Sequence, residues 1–325
     1  MEYISFGRTG MRVSRLSLGC LAFGSSEWRP WVLNAAECTQ LIQAAYEAGI
    51  NFFDTADAYS AGQSETVLGS ALNDMKVRDS VVIATKIGLP MGDRPHERGL
   101  SRKRILRGVD DALRRLDTDY IDLLQLHRLD PGTPIEVVLE ALDDVVRSGK
   151  VLYVGASSMF AWEMCRALYI ADREGWTRFA NMQAQLNLIY REEEREMLPL
   201  CAAEQIAVTV WSPLARGFLA GNRRRGDDGT LRAQTDGLAQ KMYYHDNDFD
   251  VVDRLCEVAR DIGAQPAQVA LAWVIRHPAN VVPVIGVSNM RQLSEAVEAM
   301  DIALSDTDRV RLEEAYRPHP VEWGV

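Results

Sequence analysis

No GxG triplet occurs anywhere in this 325-residue chain, no CxxC pair joins any two of its five cysteines, and no apolar run reaches the roughly 18 residues of a membrane-spanning helix. Each absence removes a class of protein. Without the glycine fingerprint an open dinucleotide-binding sheet has no turn for a pyrophosphate. Cys20, Cys38, Cys165, Cys201 and Cys256 are odd in number and scattered, and no His stands at zinc-ligand spacing, so a reducing compartment and no metal site are expected. The N-terminus lacks a basic segment followed by an apolar core, which fits a soluble, cytoplasmic protein. Positive charge is short as well: 36 Lys and Arg against 46 Asp and Glu give a formal net charge of −10, a poor default for nucleic-acid binding, although a net total says nothing about a local basic patch. What is present is ordinary globular material, 47% hydrophobic and 25% charged, long enough for one large domain or two.

Along the chain, apolar runs alternate with helical patterns. A hairpin is expected first, with residues 3–6 and 11–13 flanking the turn 7–10. Strands are then predicted at 16–19, 50–54, 81–86, 121–127, 151–157, 180–183, 207–211 and 281–285. Between them fall helices at 35–48, from Ser64 onward with Ser64 as N-cap, at 101–116 with Ser101 as cap, and at 134–148, 160–173, 191–204, 250–262, 266–276 and 290–299. The run 121–127 is almost wholly apolar, as a strand covered on both faces should be. Eight strand–helix units with no linker or composition break predict a single-domain (β/α)₈ barrel with an N-terminal β-hairpin. Two long polar connections, 87–100 and 217–249, stand out as functional or irregular loops.

In such a barrel the site lies at the C-terminal ends of the strands, so polar residues that end apolar runs are the ones to inspect. The second strand ends in Asp54, the third in Lys86 and the fourth in His127. Parallel neighbours lie about 4.8 Å apart, which brings these three ends within roughly 10 Å of one another. Tyr59, five residues after Asp54, is close enough to fold back over the same mouth. A lone Asp, Lys or His at a strand end is usually structural; three on consecutive strands with a Tyr beside them point to chemistry. A Tyr titrates near 10, and a neighbouring ammonium pulls that value down. Lys86 can supply the charge, Asp54 can hold the ammonium, and His127 can donate to and orient a substrate oxygen. Spacing alone therefore gives an acid site directed at a carbonyl, with no identified electron source.

At these residues the sequence resembles the aldo-keto reductase family, over nearly the whole chain. The matching segments are GRTGMRVSRLSLG, FFDTADAYSAGQSETVLGSAL, VIATK, DYIDLLQLHRLDP, SGKVLYVGASS, WSPLARGFLAG and VIGVSNMRQLSEAVEA. The resemblance implies a (β/α)₈ barrel that binds NADPH without a Rossmann domain, and hydride transfer to an aldehyde or ketone. It places the catalytic tetrad on Asp54, Tyr59, Lys86 and His127, with Tyr59 as general acid. It also implies nicotinamide contacts from Ser157, Ser158, Gln183 and Trp211. A pyrophosphate loop falls on Ser212, Pro213, Leu214, Arg216 and Gly217, and adenosine-end contacts on Ile285, Gly286, Ser288, Gln292 and Glu295.

There are departures from the family pattern. Many members carry Asn where this chain has Ser158, Lys or Arg where it has Asn289, Arg where it has Gln292, and Asn where it has Ala296. Losing two cations weakens a phosphate site. Ser288 with Gln292 is, however, similar to the potassium-channel β-subunit branch, which binds NADP, and the Arg run 223–225 would add charge if its loop folds over the cofactor. NADPH is thus favoured over NADH. Trp28, Trp31, Met91 and Phe160 are expected as apolar walls for a small-molecule carbonyl substrate. The short C-terminus, with little beyond Trp323 to cover the mouth, implies an open pocket. Two other functions stay open at this point, a keto- or enoyl-sugar reductase of secondary metabolism and a regulatory NADP-binding module, as does homo-oligomerisation.

Overall fold

Eight short parallel strands close into a barrel in the computed structural model, which describes residues 1–222 and 230–321. They are β3 (Ser17–Gly19), β4 (Phe52–Asp54), β5 (Val82–Ile87), β6 (Ile121–Leu126), β7 (Val151–Ser157), β8 (Asn181–Gln185), β9 (Ala207–Trp211) and β10 (Val282–Ile285). They pair in chain order, and β10 returns to β3 with Ile285 opposite Leu18. The expected hairpin is β1 (Tyr3–Ser5) with β2 (Arg12–Ser14), antiparallel, with Ile4 opposite Val13.

That hairpin determines which end of the barrel can hold a site. Phe6 and Val13 are fully buried and pack with Phe52, Val82, Leu123, Ala207 and Val282, the first inward residues of the strands. Phe6 meets Phe52 edge to face, with ring centroids 5.4 Å apart. At Gly7, φ is +55° and an added Cβ would lie 2.8 Å from the Ala207 nitrogen, so only glycine allows the hairpin turn to seat there. The N-terminal end of the barrel is thereby plugged with apolar side chains.

Alternation along the strands does the rest. Residues such as Phe53, Ile83, Leu124, Val154 and Met182 point outward into the main core, where they pack against the helices. Their neighbours point inward and change character with height: Phe52 then Asp54, Ala84 then Lys86, Leu123 then Gln125 then His127. A polar layer fills the middle of the barrel, with Gln125 Nε2 donating to Asn181 Oδ1 at 2.5 Å and Asn181 Nδ2 donating to the Ala207 carbonyl at 3.0 Å. Buried polar groups demand partners, and these supply one another.

The helices are α1 (Ala35–Glu47), α2 (Gln63–Asp74), α3 (Arg102–Leu116), α4 (Ile135–Arg147), α5 (Ala161–Glu174), α6 (Met197–Ala203), α7 (Leu231–Thr235), α8 (Gly237–Met242), α9 (Asp246–Ile262), α10 (Pro266–Ile275), α11 (Met290–Glu298) and α12 (Asp306–Glu313). Local chemistry explains several of their ends. Asn34 caps α1 in a box with Glu37, and the Ser101 side chain accepts from Arg104 N at the start of α3, where the sequence placed that cap.

Three expectations need correction. Ser64 is not a cap: α2 starts one residue earlier after Gly62 in the left-handed region, and the buried Ser64 hydroxyl donates to the Cys20 carbonyl at 2.7 Å. The helix predicted over 191–204 is a 3₁₀ turn at Glu192–Glu194 followed by α6, because Pro199 is tolerated only in a first helical turn. The long connection 217–249 contains α7, α8 and the first turn of α9, elements too short to show a period in sequence.

Candidate active site

Asp54 closes β4, and its carboxylate accepts from Lys86 Nζ at 2.5 Å. Lys86 is wholly buried and also donates to the Thr55 carbonyl at 2.9 Å. The other Asp54 oxygen accepts from Gln183 Nε2 at 2.7 Å, so the carboxylate is held from both sides. The backbone after β4 runs on beside β5, with Thr55 N donating to Ala84 O and Asp57 N to Lys86 O. It then turns through Ser60, Ala61 and Gly62, all at positive φ, which folds Tyr59 back over the mouth. Lys86 Nζ lies 5.1 Å from the Tyr59 ring centroid, and the His127 ring stands edge to face with Tyr59 at 5.6 Å. The four residues singled out in the sequence thus come together.

Their electrostatics suit an acid. Burial pushes the Tyr59 phenol above its ordinary value and outweighs the opposing pull of the Lys86 ammonium, so Tyr59 holds its proton at neutral pH. For Lys86, burial alone would lower the pKa, but Asp54 and Tyr59 more than offset it and hold the ammonium charged. Burial, the Lys86 charge and Arg128 drive His127 well below its usual 6.5, leaving a neutral imidazole. Its Nδ1 is buried without a hydrogen-bond partner.

A cleft of about 880 Å³ opens from this mouth and runs between the ends of β8, β9 and β10. Ser157, Gln183 and Trp211 line its inner end. Ser158 does not line it; its hydroxyl accepts from Trp211 Nε1 at 3.1 Å, which fixes the indole. Further along, Ser212, Ala215, Arg216 and Gly217 all adopt positive φ and wind the chain into a tight turn, with Pro213 and Leu214 also facing the cleft. At the far end lie Ile285, Gly286, Ser288, Gln292 and Glu295. Gln292 Oε1 accepts from both the nitrogen and the hydroxyl of Ser288, while Asn289 caps α11 through Gln292 N. The lining offers an indole, a tight backbone turn and a helix start, groups whose chemistry suits the ring, the phosphates and the adenosine end of a dinucleotide. The site residues therefore fit such a cofactor.

Other expected residues are placed differently. Trp28 and Trp31 line the cleft; Met91 and Phe160 do not. Residues 223–225 and Trp323 lie outside the described residues. Arg216 does not stand free: its Nε donates to Asp236 at 2.8 Å, and Arg232 pairs with the same carboxylate at 3.3 Å. Burial would raise the Asp236 carboxyl, but Arg216 and Arg232 outweigh it and hold it below the usual range. Arg29 stacks on Trp28 at 4.4 Å, and Arg232 on Trp31 at the same distance. Asp57, which the sequence left without a role, forms a buried pair with Arg104 at 2.5 Å. Sequence reasoning missed Arg29, Arg128, Arg232 and Asp236. Only Arg128 gave a signal, standing directly after the strand-end His127. Among the described residues no group of three or more His, Cys, Asp or Glu could hold a metal ion, and no helix is long and apolar enough to cross a membrane.

The comparisons agree with this geometry. The Aldo/keto reductase family model matches residues 15–317. The chain is 42% identical to versiconal hemiacetal acetate reductase of Aspergillus parasiticus over 345 aligned positions, covering 100% of this chain and 99% of that one. It is 38% identical to a putative aryl-alcohol dehydrogenase of Schizosaccharomyces pombe, covering 99% and 98%, and 37% identical to an aldo-keto reductase of Metarhizium robertsii, covering 99% and 93%. Members of the family are oxidoreductases that act on carbonyl groups with a nicotinamide nucleotide. The chain belongs to the aldo/keto reductase family.

Proposed function

We propose that this protein is an NADPH-dependent reductase of aldehydes or ketones in which Tyr59 is the general acid. The observation that carries the reading is the stack of Asp54, Lys86 and Tyr59 beside a neutral His127, at the inner end of a cleft of about 880 Å³. When bound there, a dihydronicotinamide supplies the hydride. Ser157, Gln183 and Trp211 would hold that ring, the turn Ser212–Gly217 the phosphates, and Ser288, Gln292 and Glu295 the adenosine end. The departure of Gln292 from the usual Arg leaves NADPH favoured through its pairing with Ser288.

This chain's own side chains handle the proton. His127, being neutral, donates one N–H to the substrate oxygen and fixes its direction toward Tyr59. The Tyr59 hydroxyl gives its proton to that oxygen as negative charge develops there. Lys86 stays an ammonium throughout and stabilises the phenolate left behind, while Asp54 keeps the ammonium from turning away. Water at the mouth returns the proton to Tyr59. Relatives named for versiconal hemiacetal acetate and for aryl alcohols make aromatic carbonyls the first class to test. Three of the five cysteines, Cys20, Cys38 and Cys201, are free and buried, as suits the reducing cytoplasm in which we place the protein.

Purified protein mixed with NADPH and a panel of aromatic aldehydes and ketones should bleach the nicotinamide absorbance band, faster with NADPH than with NADH. No bleaching with any member of a broad panel, despite tight NADP binding, would overturn the reading.

A further inference from the structure

Several buried or half-buried arginines are paired with carboxylates: Arg78 with Asp122, Arg104 with Asp57, Arg115 with Glu65 and Arg216 with Asp236. Arg128 differs from these. It lines the cleft, yet among the described residues its guanidinium has no carboxylate within ion-pair distance. Its Nη1 donates to the His127 carbonyl at 2.8 Å, and its guanidinium carbon lies 5.9 Å from the Trp211 ring centroid, at the outer limit of a cation–π contact. Burial pulls its pKa below the ordinary guanidinium value; a guanidinium keeps its charge in proteins, and among the described residues only Nη1 of this fork donates a hydrogen bond.

Position says what the charge is for. Arg128 follows β6, and β6 stands four strands from β10 in either direction around the barrel, so Arg128 lies across the mouth from Ser288 and Gln292 and cannot serve the adenosine end. It adjoins His127 and Tyr59, where the carbonyl must sit. Arg29, the other cation of the mouth without a carboxylate partner among the described residues, stacks on Trp28 and Trp31 instead. We propose that Arg128 is an anion-recognition residue of the substrate site, and that the preferred substrates are aromatic aldehydes or ketones bearing a carboxylate. The ring would lie against the Trp28, Trp31 and Trp211 walls while the carboxylate takes the two parallel N–H bonds that a guanidinium offers. The proposal rests on the reading that carbonyl reduction takes place at Tyr59.

The test is calorimetric titration of the NADP⁺-loaded protein with 2-, 3- and 4-formylbenzoate and with their methyl esters. The wild type should bind at least one formylbenzoate about tenfold more tightly than its ester, the scale of a charged hydrogen bond in a partly desolvated site. Arg128→Met should bring the two to parity while leaving ester affinity unchanged to within about twofold. If that variant fails to fold, Arg128→Gln carries the same comparison. Equal binding of acid and ester for all three isomers in the wild type, or a preference that survives in Arg128→Met or Arg128→Gln, would overturn the proposal. Turnover of the neutral esters with NADPH is measured separately, so a failure of the reductase reading is seen there and not in the binding ratio.

Discussion

Gln183 and Asp54 come from β8 and β4, on opposite sides of the barrel, and meet across its mouth at 2.7 Å. The amide occupies the Asp54 oxygen that Lys86 leaves open, so the carboxylate cannot rotate without breaking a bond on one side or the other. Gln183 therefore acts on the acid through Asp54 and Lys86 as well as lining the cofactor cleft. Gln183→Leu should lower kcat by about tenfold or more through a loosened Lys86, beyond any change in cofactor affinity. Steady-state kinetics at saturating NADPH separates the two effects; a variant impaired only in cofactor KM would confine Gln183 to the cofactor.

The depressed pKa of His127 has a sign that can be measured. Above the unfolded value of about 6.5 neither state carries the proton; as pH falls below it the unfolded chain takes up a proton that the folded His127 refuses. This group alone should cost about 1.4 kcal/mol of stability per pH unit until its folded pKa is reached. Urea unfolding between pH 7 and pH 5 should show a shallower loss in His127→Gln than in the wild type. Reduction should likewise show no inflection near 6.5, and should decline only in the alkaline range where Tyr59, pushed up by burial, begins to ionise.

At the far end of the cleft, Gln292 accepts from Ser288 and offers no charge of its own. Gln292→Arg places a guanidinium where the family usually carries one. The KM for NADPH should fall several-fold while that for NADH is unchanged, since only the 2′-phosphate gains a contact. Initial rates with both cofactors check this. An equal effect on the two would place the phosphate elsewhere.

Two residues before Tyr59, Asp57 is 1% exposed, and among the described residues Arg104 supplies its only counter-charge in hydrogen-bonding contact. Burial raises the Asp57 carboxyl and Arg104 pulls it back. Arg104→Met strands that carboxylate and should cost about 3–5 kcal/mol of stability by denaturant unfolding. Adding Asp57→Asn should recover part of the loss. A single variant as stable as the wild type would mean that the turn is held without the pair.

How far the sequence revealed all this depends on how far apart the interacting residues lie. Asp54, Lys86 and His127 were legible because each ends an apolar strand, and the period-two alternation that points Phe52 inward also points Asp54 inward. The eight-fold repeat of strand and helix made the barrel legible for the same local reason. Asp57 was not, since its partner lies 47 residues on, in α3. Nor was the latch of Asp236 on Arg216, carried by helices of five and six residues that show no period. Gln125 and Asn181 read as ordinary strand residues; their mutual bond exists only once the barrel has closed. Ser64 misled because a hydroxyl before an amphipathic helix reads as a cap, whereas tertiary contact with Cys20 claimed it.

The central claim is that the Tyr59 hydroxyl delivers the proton. Tyr59→Phe keeps the ring that meets His127 and removes only that oxygen. Single-turnover bleaching of bound NADPH by an aromatic aldehyde should slow by about 10²-fold or more in this variant, with the NADPH dissociation constant unchanged. Bleaching at the wild-type rate would contradict the account.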